Sequence, residues 1–228
     1  MKKIILIIVL LFAFLFPSSG INNDAVVTKF STQIIVSKTK CTKEVSLILQ
    51  INNPQGDKFT SFYIPYSDNR KLKKLSGEIK DLRNESIRKL SNKDIITSSL
   101  FDNSNFYNDN LVKRFSLKHN VYPYLVQVNF QWEISPYIGI VHWYPIWDDE
   151  IATQSAELTV TIPSEIPFKL NPHSIENPEI TETPGGKIYH WESSYERMSM
   201  DDIYSPSIYD RIPFVEMVPT NFNYIVPG

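Results

Sequence analysis

Cys41 is the chain's single cysteine and so its one candidate thiol nucleophile. A thiolate enzyme needs that sulfur beside a histidine, with a third group orienting the imidazole, and commonly at a helix N-terminus that lowers the thiol pKa. Cys41 stands instead in Thr39-Lys40-Cys41-Thr42-Lys43-Glu44, at the start of an alternating segment, and the first histidine in the sequence is His119. The context predicts an unpaired thiol at a strand edge. His119, His142, His173 and His190 are widely spaced and show neither an HExxH pattern nor any short pair that would place two imidazoles on one zinc ion. No serine occupies a Gly-x-Ser-x-Gly elbow, and the 7 glycines form no phosphate-cradling loop. Asp148-Asp149-Glu150, Asp201-Asp202 and the loop from Asp102 to Asp109 offer oxygen ligands of the calcium type, yet none has the glycine turn or the distal bidentate glutamate. They read as solvated loop carboxylates. The expectation is no catalytic residue, no metal ligand and no cofactor.

Aromatic residues carry the more interesting pattern. Tyr137, His142, Trp143, Tyr144 and Trp147 crowd a proline-containing segment without strict alternation, just after a strand that bears Trp132. Flat aromatic faces give large contact area at low entropy cost, so Tyr137, Trp143, Tyr144 and Trp147 are the candidate binding residues for a sugar or a protein partner. Pro136 and Pro145 support a second reading, in which the segment folds back as a lid over the end of the domain. Trp132 falls on the apolar face of its strand and belongs to the core.

The elements that position these residues are strands. Aromatics make up 13% of the chain, β-branched residues run throughout, and 15 prolines punctuate it. Val128, Phe130, Trp132 and Ile134 alternate with Gln127, Asn129, Gln131 and Glu133, the period of a half-buried strand. The same alternation places Val45, Leu47, Leu49 and Ile51 on one face, and Ala156, Leu158, Val160 and Ile162 on another. Further strands are predicted at Val26 to Val36, Lys58 to Tyr66, Lys71 to Asp81, Ser86 to Leu90, Leu111 to His119, Pro167 to Leu170 and Lys187 to Trp191. Leu72, Leu75 and Ile79 also fit a short helix, and strand is preferred there. Asp102 to Asn110 and Met198 to Gly228 read as loop, with Ser199, Asp201 and Asp202 able to cap one helical turn. The fold class predicted is all-β, a two-layer antiparallel β-sandwich with long loops.

Lys2 and Lys3, the apolar run Ile4 to Phe16 and the small residues of Pro17-Ser18-Ser19-Gly20 form a signal peptide over residues 1–20. The run is too short to span a membrane, and the sole cysteine is too far along for a lipoprotein. Residues 21–197 then form the sandwich and 198–228 a proline- and tyrosine-rich extension. Export to the periplasm or surface of a bacterium is expected, with no membrane-embedded part once the leader is removed. Net charge is -2 for the whole chain, which gives no overall footprint for nucleic acid. One cysteine allows no internal disulfide, so core burial alone must hold the domain together.

Several short patterns in order are similar to those of a bacterial envelope domain of unknown function that precedes transglutaminase-like domains. They are Ile87-Arg88-Lys89-Leu90 followed by Lys93-Asp94-Ile95; Arg114-Phe115-Ser116-Leu117 leading through Tyr122-Pro123 to Val128-Asn129-Phe130-Gln131-Trp132; Trp143-Tyr144 ahead of Thr161-Ile162-Pro163; and Tyr189-His190-Trp191-Glu192. Tyr204-Ser205-Pro206, Ile212-Pro213-Phe214-Val215 and Phe222-Asn223-Tyr224 resemble the exit from that domain. Tyr122-Pro123 replaces the glycine usual before the central strand. The resemblance implies a two-sheet β fold, association with a papain-like cysteine enzyme acting on peptides or amides, and no catalytic residue in this portion. The functional expectation is a non-catalytic exported domain that binds or positions a protein, glycan or partner enzyme. One alternative is the N-terminal module of a transglutaminase-like peptidase whose catalytic domain would begin after Gly228; another is a carbohydrate-binding sandwich using Trp143, Tyr144 and Trp147.

Overall fold

The computed structural model describes residues 24–99, 110–197 and 211–220. The predicted leader, most of the Asn-rich loop and the capped turn at Ser199 lie outside them. The fold is all-β. Four long strands build its centre: β1 (Ala25–Val36), β2 (Cys41–Ile51), β8 (Tyr124–Ile134) and β10 (Thr153–Pro163). They join β4 (Arg70–Lys80), β5 (Ser86–Lys89), β12 (Glu179–Thr183) and β13 (Gly186–Tyr195) in an eight-stranded sheet ordered β12-β13-β10-β1-β2-β8-β4-β5. Among the described residues, no helix is long and apolar enough to cross a membrane.

Alternation decides which face is buried, because successive side chains on a strand point to opposite sides. Val45, Leu47, Leu49, Ile51, Val128, Phe130, Leu158 and Val160 are buried. The opposite face is polar. Ser31, Ser46, Asn129 and Ser76 lie side by side across β1, β2, β8 and β4 there.

The second layer departs from a single partner sheet. Two three-stranded sheets cover the apolar face: β3 (Ser61–Tyr66), β7 (Leu111–Ser116) and β6 (Ile96–Ser99) in the order β3-β7-β6, and β11 (Phe168–His173), β14 (Phe214–Pro219) and β9 (Val141–Trp143) in the order β11-β14-β9. Their inward residues Phe62, Ile64, Phe115, Val141, Trp143, Val215 and Met217 join one core with the large sheet.

The large sheet is also mixed, since β1 pairs in parallel with β10, from Val27 opposite Thr153 to Ile35 opposite Thr161. An expectation of purely antiparallel strands is corrected there. β4 is a strand along its length, so the helical spacing of its leucines is incidental. Lys58 to Thr60 belong to a 3-10 turn, Pro54–Thr60, capped by Asn53, whose side chain accepts from the Gln55 amide. The tail read as loop supplies β14, whose alternate residues Val215 and Met217 are buried.

Candidate functional site

Of the aromatic candidates, Trp143 is 2% exposed, and its ring stacks on Phe30 with centroids 6.5 Å apart. Trp147 is partly buried against Phe30, Phe62 and Phe130, at centroid distances of 6.0, 6.2 and 6.3 Å. Tyr137 is also partly buried and donates its hydroxyl to the Ser37 carbonyl at 2.7 Å. Tyr144 lies further round, with His142 at 5.0 Å and Phe214 at 5.7 Å. The segment therefore closes over the core as a lid, and the four rings do not converge on one surface. Trp132 packs at the core margin and donates to the Pro65 carbonyl at 2.9 Å.

Cys41 is 1% exposed, and burial pushes its thiol up to about 11. Its nucleophilic thiolate is scarce at neutral pH for that reason. Among the described residues, no three His, Cys, Asp or Glu side chains gather as a metal site. Asp148 is raised above the usual carboxylate range, first by burial and then by Asp149 and Glu150. Asp102, Asp109, Asp201 and Asp202 lie outside the described residues.

A cleft of about 470 Å³ opens at the rim of the sandwich, between β5 and the β3-β7-β6 sheet. Three patterns of the sequence resemblance meet in it: Arg88 from the first, Asp94 from its continuation, and Arg114-Phe115-Ser116 from the next. Local structure explains the convergence. Arg88 pairs with core-facing Ile79, but β5 is the edge strand, so its side chain reaches over the rim. A short 3-10 turn, Asn92–Asp94, brings the Asp94 carboxylate to 3.3 Å from the Arg88 guanidinium, and the Ser91 amide also donates to it at 3.0 Å. On the small sheet Arg114 lies between Tyr63 and Ile96 across the strands, and its guanidinium carbon is 5.6 Å from the Tyr63 ring centre. Tyr63 is 61% and Ile96 66% exposed, unusual for large apolar side chains at one place. Phe62 and Phe115 also line the cleft, but their rings, stacked at 5.2 Å, turn to the core side of the same strands, where Phe62 meets Trp147.

Charge is distributed unevenly along the chain. Residues 70–118 contain 12 Lys and Arg against 6 Asp and Glu, whereas residues 119–228 contain 4 against 15. Described carboxylates of the basic stretch are already engaged: Glu78 with Lys80, Asp81 and Glu85 with Arg83, and Asp94 with Arg88. A small overall net charge concealed this polarity, and it would have emerged from summing charge over successive windows. Nothing in the local periodicity singles out Arg88 or Arg114.

Residues 38–195, which run from just before β2 to the end of β13, match a family described as a Domain of Unknown Function with solved-structure structure (DUF3857). The chain belongs to this family. No curated protein matches it. Among solved structures, the DUF3857 chain resembles a candidate protease from Parabacteroides distasonis ATCC 8503, at 12% identity and a TM-score of 0.73, over 86% of this chain and 40% of that one. It is also similar, at a TM-score of 0.42 and 15% identity, to Legionella pneumophila aminopeptidase A in complex with aspartic acid, covering 86% of this chain and 21% of that one. An M1 zinc metallopeptidase from Deinococcus radiodurans has a TM-score of 0.40 and 8% identity, covering 86% and 42%. The DUF3857 chain thus spans about two fifths of the length of the Parabacteroides protein. At such identity the likeness is one of fold.

Proposed function

We propose that this chain is a non-catalytic docking module of an exported envelope protein, which binds or positions a partner protein or enzyme. The observation that carries the reading is the recurrence of its fold as 40% of a candidate protease, at a TM-score of 0.73. In that protein the fold is one part of a longer chain. The buried, weakly acidic thiol of Cys41 and the open cleft at the rim support a binding role over a catalytic one. The leader pattern at residues 1–20 supports export. The transglutaminase association drawn from the sequence patterns gives the finer version: the module precedes, or acts beside, a transglutaminase-like cysteine peptidase.

Three measurements test this. Immobilised chain from residue 21 onward, exposed to envelope extract, should retain a peptidase, and mass spectrometry identifies it. Recovery of nothing above background counts against a partner in trans. Reading the gene past Gly228 tests the partner in cis, and a stop codon there removes it. Hydrolysis of peptides by the purified chain alone would overturn the non-catalytic reading.

A further inference from the structure

We propose that the cleft between β5 and the β3-β7-β6 sheet binds an extended acidic peptide segment of a partner protein. The inference rests on the docking-module reading and names the chemistry of what docks. Three independent observations lead to it.

The first is the shape of the place. β5 and β6 are the edges of their two sheets, and the cleft lies at the rim where those sheets part. Edge strands present main-chain donors and acceptors that an extended chain can pair with, and this is a common mode of peptide recognition. A volume near 470 Å³ admits a few side chains. It does not admit a folded element.

The second is the lining. Tyr63 and Ile96 stand exposed on either side of Arg114 across the β3-β7-β6 sheet. An apolar side chain can rest on Tyr63 or Ile96 while its neighbour two residues along reaches Arg114, because alternate side chains of an extended peptide share a face. The Arg114 guanidinium already lies against the Tyr63 ring. Its planar fork is thus held where it can donate two hydrogen bonds to one carboxylate.

The third is charge. Residues 70–118 have twice as many cations as anions, their described carboxylates are all held by neighbouring cations, and the cleft itself has the guanidiniums of Arg88 and Arg114 against the carboxylate of Asp94. Incoming acidic groups therefore meet surplus positive charge, which steers association. A dense polyanion fits less well, because Asp94 projects a carboxylate into the cleft wall and the exposed apolar rings have no counterpart on a phosphate chain.

The test uses the chain from residue 21 to residue 228 and two fluorescein-labelled peptides, Ser-Val-Ser-Glu-Ser-Val-Ser, whose valines and glutamate share one face when extended, and its lysine-for-glutamate analogue, read by fluorescence anisotropy. The glutamate peptide should bind in a salt-sensitive manner and the lysine peptide should not. Arg114→Ser should weaken binding by about tenfold or more. Lys71→Ser, in the same basic stretch but opposite Glu133 on the polar face of the large sheet, should change it by less than about twofold. Both positions are exposed, and unchanged melting temperatures would show that the variants fold. Equal binding of the two peptides overturns the proposal, as does an Arg114→Ser variant that binds normally. Competition by polyphosphate as strong as by polyglutamate would replace the peptide with a general polyanion. Cleavage of the glutamate peptide would overturn the docking-module reading itself, whereas an intact peptide that fails to bind overturns only the assignment of the cleft.

Discussion

Lys43→Met should stabilise this protein, and the effect should fade as pH rises. Lys43 lies on the apolar register of β2, between Cys41 and Val45, and pairs across the strands with Trp132 and Ile34. Its ammonium is 5.9 Å from the Trp132 ring centre and shares that ring with Arg70, whose guanidinium carbon is at 5.4 Å. Burial lowers the Lys43 pKa from its ordinary 10.5, with Cys41 opposing the shift and Arg70 adding to it. Methionine keeps the length of the side chain and removes the charge. The substitution loses a cation–π contact of about 0.5–1 kcal/mol. It relieves the cost of burying a cation, where apolar replacements of buried ionic groups gain about 1–4 kcal/mol. The balance favours methionine by about 1–2 kcal/mol, or roughly 2–4 °C in melting temperature per kcal/mol for a domain of this size. Because the folded-state pKa is depressed, the penalty is fully present below it. As pH rises through that value toward 10.5, the folded chain loses the proton before the unfolded chain does, and stability rises. Urea denaturation of both proteins at pH 7, 8, 9 and 10 reads the difference directly. A variant less stable than the parent at pH 7, or a difference that does not move with pH, would refute the reasoning.

Trp143→Ala should cost about 3–5 kcal/mol, as expected for a large buried ring, while Trp143→Phe should cost much less, because the buried indole N–H has no hydrogen-bond partner to lose. Denaturant titration of both variants checks this, and an alanine variant that keeps its stability but loses glycan retention would restore the ring as a ligand-binding group. A Cβ at Gly56 would lie 2.2 Å from the Asp24 carbonyl oxygen, so Gly56→Ala must displace the start of β1 and should lower stability by about 2 kcal/mol or more; calorimetry showing no loss would mean the capped turn can shift freely. Tyr124→Phe removes the 2.9 Å hydrogen bond to Asp57 and should cost about 1–2 kcal/mol by the same denaturation assay. The Cys41 thiol, buried and raised to about 11, should resist a disulfide-exchange reagent at pH 8 in the folded chain and react completely in guanidinium; rapid labelling of the native protein would show the strand edge opens.

The long central strands were legible because their alternation is uninterrupted: Val45 through Ile51 and Ala156 through Ile162 name both the strand and its buried face. Some short strands were read as well, among them β5 (Ser86–Lys89), but others were not. β9 is three residues long, and β12 is exposed along its whole length, so neither leaves a periodic trace. β14 does alternate, but its prolines and its place in a tyrosine-rich tail masked the pattern. The parallel pairing of β1 with β10 leaves no local signal at all, since each strand reads the same with either neighbour direction. Lys43 occupies an apolar register position as a charged residue, a conflict visible in the sequence. At the cleft, Arg88 and Arg114 meet only because an edge strand and a separate small sheet converge. Their shared order in the family patterns was the one trace of it.

The parallel seam has a kinetic consequence. β2 can zip onto β1 through a four-residue turn, but β10 must find the other edge of β1 across more than a hundred residues of intervening chain. Strands β10, β13 and β12 attach to the large sheet through that one seam. Loop closure over such a span precedes any reward from the contact, so the rate of folding should be governed by this single long-range search and lie on the slow side for a domain of its size. Until the search succeeds, the outer edge of β1 is an unfilled template, and β10 from a neighbouring molecule fits it as well as the chain's own.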